Sequence, residues 1–218
     1  MKRRWNYQTK MTQRKPILLL VIGFVLIGVG LNALWRRYEV QHGGVPPARK
    51  VATVTATAPS EQKVTASYSV PADQPLSISL PSIATTGFIQ RVGVDKTNQM
   101  VAPGNVNMAG WYVGGSKPGD PGLSIIDGHV HGLYAKGVFY NLVRLKVGDK
   151  FSVTYGDHST RNFEVKHVSS VPVAQATQAL FARDNTIADQ LNLITCGGTY
   201  VAASKSYDGR VIVISAKI

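Results

Sequence analysis

Asn192-Leu193-Ile194-Thr195-Cys196-Gly197-Gly198 carries an apolar, strand-like run up to the only cysteine of the chain and follows it with two glycines. A thiol kept for packing needs no such placement. A thiol kept for chemistry needs a strand to fix it, a loop to present it and a basic partner, because the thiolate is the nucleophile. Downstream, Val211 through Ile214 are apolar on both sides, the pattern of a strand covered on both faces. Arg210 begins that run, so a hairpin return would bring its guanidinium near the thiol. Its fixed donors and permanent charge suit a developing oxyanion. On the residues alone, Arg210 reads equally well as a solvated residue flanking a strand.

Upstream the texture is also β. Leu76–Leu80 alternates, Phe88–Val94 follows, and Leu123–Ile126 is a short apolar run closed by Asp127-Gly128, which reads as a turn. Phe151, Val153 and Tyr155 alternate with polar residues, Gly156–Ser159 supplies a hairpin turn, and Arg161–Val171 returns as its partner. Helical spacing is confined to Val138, Leu142 and Leu145 and to the stretch after Pro172. The fold class expected is all-β, a closed or nearly closed barrel with one or two short helices.

The first part of the chain differs. Residues 17–35 carry no charge and as a helix would be about 28 Å long, close to the ~30 Å hydrocarbon thickness of a bilayer. Lys2, Arg3, Arg4, Lys10, Arg14 and Lys15 precede this run with no acidic residue among them, which places the N-terminus in the cytoplasm. The layout expected is a basic cytoplasmic tail over 1–16, an uncleaved transmembrane signal anchor over 17–35, a flexible stalk over 36–75 and a catalytic barrel over 76–218 on the extracytoplasmic face. The tail supplies much of the formal net charge of +12. No basic helix or aromatic-interleaved stripe points to nucleic acid. With a single cysteine no internal disulfide is possible, and no grouping has metal-ligand spacing, so neither metal nor cofactor is expected.

A cysteine nucleophile needs a base, and the chain has five histidines. His42 falls in the stalk, His158 in a hairpin turn and His167 within a strand pattern. His129 leaves an apolar strand into a Gly-flanked loop, which mirrors the setting of Cys196, with His131 as its competitor. Asp120 and Asp127 read as loop acids without a role.

These residues resemble those of the sortases, cysteine transpeptidases of the bacterial cell surface. The resemblance covers about residues 76–218: strand-Gly-His at 125–129, Leu-x-Thr-Cys at 193–196 with Asn192 ahead of it, and Arg followed by apolar residues at 210–214. Leu193-Ile194-Thr195-Cys196-Gly197-Gly198 is closest in texture to the class E and F branches. The resemblance implies a barrel of about eight strands. It also implies Cys196 as nucleophile, His129 as general acid/base, Arg210 as positioning or oxyanion-stabilising residue and Thr195 as a substrate contact. The reaction implied is cleavage of a C-terminal, Leu-Pro-x-Thr-Gly-like sorting signal on a surface protein and transfer to an amino acceptor, a wall precursor or a pilin lysine. Two rivals stand beside it: a cysteine peptidase that releases surface proteins, with water as acceptor, and a non-enzymatic surface β-domain.

Overall fold

The computed structural model describes residues 59–64 and 67–218. The expected basic tail, the apolar span at 17–35 and most of the stretch 36–75 lie outside the described residues. Among the described residues, no helix is long and apolar enough to cross a membrane.

Period-two alternation builds the barrel wall. The strands are β1 (Pro75–Leu80), β2 (Thr85–Val92), β3 (Ala109–Tyr112), β4 (Gly122–Gly128), β5 (Lys150–Tyr155), β6 (Thr160–Pro172), β7 (Asp189–Val201) and β8 (Ser206–Lys217). They close in the order β1-β2-β3-β4-β7-β8-β6-β5. Ile78, Leu80, Ile126, Phe151, Val153, Phe163, Val165, Leu191, Leu193, Val211 and Val213 share one buried cluster. Within it, the rings of Phe151 and Phe163 stack at 5.3 Å across paired strands. Truncating a buried phenylalanine of this kind to alanine costs about 3–5 kcal/mol, which makes the interior the main source of stability.

One α-helix, α1 (Val173–Phe181), follows Pro172 and packs on the outside of β6 and β8 with Ala176 and Leu180 buried. Its cover explains why Val211, Ile212 and Val213 are buried on both faces of β8. The end of α1 is tied down from β7. Asn192 Nδ2 donates to Leu180 O at 2.7 Å, and Gln190 Nε2 donates to Ala182 O and to Asn192 Oδ1, each at 2.9 Å. Two polar side chains, both 0% exposed, thus satisfy backbone carbonyls that a helix end leaves unpaired.

Three local expectations are corrected. The second helical pattern reduces to a 3₁₀ turn at Leu142–Arg144. Gly137 precedes it, and Val138 and Phe139 give their N–H groups to Val106 O and His129 O, so tertiary pairing overrides the local spacing. Asp127-Gly128 is no turn: both residues belong to β4. Gly128 is there because a Cβ would lie 2.5–2.8 Å from Phe139 and Val138. Nor does the chain loosen after Cys196, because β7 runs on through a bulge between Gly197 and Tyr200.

Gly198 has φ +81°, and a Cβ there would come 2.1 Å from Asp208 Oδ1, the atom that accepts the Thr199 N–H at 2.8 Å. Gly198→Ala is expected to cost about 1–2 kcal/mol and to lower Tm by roughly 2–8 °C in thermal melts. An unchanged Tm would show that the bulge is not strained.

Candidate active site

Parallel neighbours leave a sheet at the same rim, and β4–β7 is such a pair, in register from Gly122↔Asp189 to Asp127↔Ile194. Thr195 Oγ1 donates to Gly128 O at 2.6 Å and ties the two ends together. The next residue out of β4 is His129, and the next along β7 is Cys196. Strand β8 returns antiparallel with Arg210 directly opposite Cys196. Leu193 and Val211 point into the core, so alternation turns Cys196 and Arg210 to the outer face. The fold thus brings residues 129, 196 and 210 to one rim. Arg210 lies within β8 rather than at its start, because the hairpin with β7 extends out to Val201 and Ser206.

The Cys196 thiol is half-buried. Burial pushes its pKa up, the Arg210 charge pulls it down and the Asp127 charge pushes it up again. The resting group is therefore a thiol, and it needs a base before it can attack. Arg210 Nη1 donates to Gly209 O at 2.7 Å and to Tyr207 O at 3.3 Å, which fixes the guanidinium against its own strand. Its Nε and Nη2 donors have no partner among the described residues and can serve a ligand oxygen.

His129 is held through both ring and backbone. Its Nε2 lies 2.7 Å from Pro103 O. A carbonyl only accepts, so Nε2 donates, and Nδ1 of the neutral ring is left as the nitrogen with an open lone pair. Its own carbonyl accepts the Phe139 N–H at 3.0 Å. Pro103 reaches this position because it packs over Gly110, where a Cβ would lie 3.0 Å from its Cγ. The segment ahead of the barrel braces both this loop and the one after β4: Ser60 exchanges backbone bonds with Gly104 O and the Val106 N–H, and the Glu61 carboxylate accepts the Tyr134 N–H at 3.0 Å. Among the described residues no hydrogen bond joins the His129 ring to the thiol. The charge it acts on is Asp127.

His131, the competitor for the basic role, is otherwise engaged. Its Nδ1 donates to Gly132 O at 2.9 Å, and its Nε2 accepts the Tyr207 hydroxyl. The rings meet edge to face at 5.4 Å, and Tyr207 packs on Tyr200 in turn. This pair links the loop after β4 to the β7–β8 hairpin. His158 and His167 are exposed, on the turn and on β6. The Thr195 side chain is 2% exposed, and its hydroxyl bonds Gly128 O.

The family model for the sortase domain matches residues 78–218. The chain belongs to the sortase family. Sortases are cysteine transpeptidases, and this sortase carries its one cysteine on the rim just described. The fold is similar to that of sortase A from Corynebacterium diphtheriae. Its lid mutant aligns at 26% identity over 66% of this chain and 69% of that one, with a TM-score of 0.51. A second structure of that enzyme aligns at 26% over 68% and 63%, with a TM-score of 0.50. Sortase C-1 from Actinomyces oris shares the fold at 24% identity over 67% and 76%, with a TM-score of 0.50. No curated protein matched the chain.

Sequence reasoning missed one ionisable member of this sortase's rim. Asp127 is not a loop acid: it sits in β4, its pKa pushed up to about 6 by burial and held back by the His129 charge, the Gly128 N–H and the Arg210 charge. Asp120 does remain in a loop, paired with Arg161 at 2.5 Å, away from this rim. Alternation offered one signal for Asp127. An aspartate next to Ile126 on the strand that leads to His129 faces outward wherever Ile126 faces in.

Proposed function

We propose that this sortase joins a surface protein to an amine through a thioacyl-enzyme on Cys196. The observation that carries the reading is the cross-strand pairing of Cys196 with Arg210 at the rim where β4 delivers His129. Nδ1 of His129 takes the thiol proton, and Sγ attacks a peptide carbonyl of a C-terminal, Leu-Pro-x-Thr-Gly-like sorting signal. The free Arg210 donors receive the oxyanion. Collapse breaks the C–N bond, and His129 protonates the leaving amine. An incoming amine then attacks the thioester and loses a proton to His129. The C–S bond breaks, and that proton returns to the sulfur.

The acceptor in this reading is a wall precursor or a pilin lysine. The barrel stands on the extracytoplasmic face, held by the uncharged run at 17–35 with the basic tail in the cytoplasm. Thr195 keeps the two site strands together rather than touching substrate through its hydroxyl. The class E or F assignment rests on Leu193–Gly198 alone.

The test is incubation of the full-length chain with such a peptide, with and without a primary amine, followed by mass analysis. Transfer predicts a joined amide that grows with amine concentration at the expense of hydrolysis. Hydrolysis unaffected by amine would replace this reading with that of a releasing peptidase. No turnover, with no preferential labelling of the thiol, would leave a surface β-domain.

A further inference from the structure

Asp127 is the outward-facing residue of β4 paired with Ile194, two positions before the nucleophile. Across β3 it opposes Gly110, which carries no side chain, and Val92 and Pro103 pack over that gap. The Pro103 carbonyl in turn holds His129 Nε2 at 2.7 Å. The half-buried carboxyl therefore lies on the outer face of the rim to which β4, β7 and β8 bring His129, Cys196 and Arg210. Its charge acts on Cys196, and those of His129 and Arg210 act on it. Among the sortase residues discussed so far, it has no role.

We propose that Asp127 is a positioning residue for the transfer, its carboxylate holding the His129 imidazolium and the Arg210 guanidinium aligned at Cys196. The inference rests on the acyl-transfer reading. An anion here favours the cation His129 becomes after taking the thiol proton, and it must favour it until the leaving amine is protonated. It also opposes the thiolate, so the site keeps a neutral thiol until substrate arrives. Because the carboxyl titrates at about 6, mild acid removes the anion and the alignment together. Strand β3 contributes no titratable group opposite it.

The test is kcat/KM against pH for the full-length chain, with peptide and amine as above, in wild type, Asp127→Asn and Asp127→Glu. Near neutral pH, Asp127→Asn is expected to lose roughly tenfold in kcat with KM little changed. The wild-type acid limb falls more steeply than that of Asp127→Asn, because the Asp127 carboxyl also takes up a proton there. That of Asp127→Asn falls with a slope of one, and its alkaline limb moves to lower pH because the thiol loses an anionic neighbour. Asp127→Glu keeps the steep acid limb. Superimposable wild-type and Asn profiles would overturn the proposal.

Thiol alkylation by iodoacetamide on the same chains needs no substrate and so separates this inference from the reaction itself. Asp127→Asn is expected to react faster than wild type at a given pH, and equal rates would remove Asp127 alone. In a His129→Ala chain, which leaves Asp127 in place, the logarithm of the alkylation rate flattens at or above about pH 6 as the carboxyl ionises. A straight line there would overturn the proposal even if Asp127→Asn does not fold.

Discussion

Cys196→Ala is expected to abolish amide transfer, with a loss on the order of 10⁴–10⁶-fold in kcat, while the barrel keeps its melting temperature to within a few degrees. The sulfur is half-buried on the outer face, so its removal leaves no large internal cavity. No other group on the rim can replace it. The Thr195 hydroxyl next to it is buried against Gly128 O, and that of Tyr207 donates to His131. Peptide binding should survive in the variant, because binding and covalent chemistry draw on different atoms. Turnover by Cys196→Ala above the uncatalysed rate would show that the nucleophile lies elsewhere.

Arg210→Ala is expected to lower kcat by about 10²–10³-fold with a smaller change in KM, the signature of an interaction made mainly in the transition state. Two features set the size of the effect. The residue is cross-strand partner to Cys196, and two of its nitrogens stay free among the described residues while a third is fixed by Gly209 O and Tyr207 O. Arg210→Lys keeps a charge but loses the planar fork, so only part of the activity should return. The guanidinium also pulls the thiol pKa down, so removing it drives that pKa higher still. Less thiolate is then present at every pH below the new value, and the alkaline limb of kcat/KM moves to higher pH. An Arg210→Ala enzyme with wild-type kcat and only a raised KM would assign the residue to ground-state binding.

The barrel was legible because alternation in Leu76–Leu80 and Phe151–Tyr155 reports directly which face is buried, and the unbroken apolar run Val211–Ile214 reports a strand covered on both. The parallel pairing of β4 with β7 was not, since it depends on a crossover through β5, β6 and α1 that no local pattern encodes. The resemblance to sortases nominated His129, Cys196 and Arg210, and that pairing puts them on one rim. Glycines were harder to read. Gly128 and Gly197-Gly198 looked like turn and loop signals, yet each permits a close approach inside a strand, by Phe139 and Val138 in the first case and by Val211 and Asp208 in the second. Asp127 was misread for a related reason: its neighbour on the sheet is Ile194 of β7 and one of the charges acting on it is that of Arg210, both remote in sequence. Asn192 and Gln190 carried no outward sign of holding α1. A polar residue in an apolar run declares a partner only when that partner is known.

The central claim, that the thiol at 196 becomes the acyl carrier, is tested most directly by intact-mass analysis of the chain incubated with sorting-signal peptide and no added amine. The account predicts a mass increase equal to the peptide portion on the N-terminal side of the cleaved bond, discharged by hydroxylamine and lost in Cys196→Ala. Peptide cleavage without any adduct, or an adduct that persists in Cys196→Ala, would contradict it.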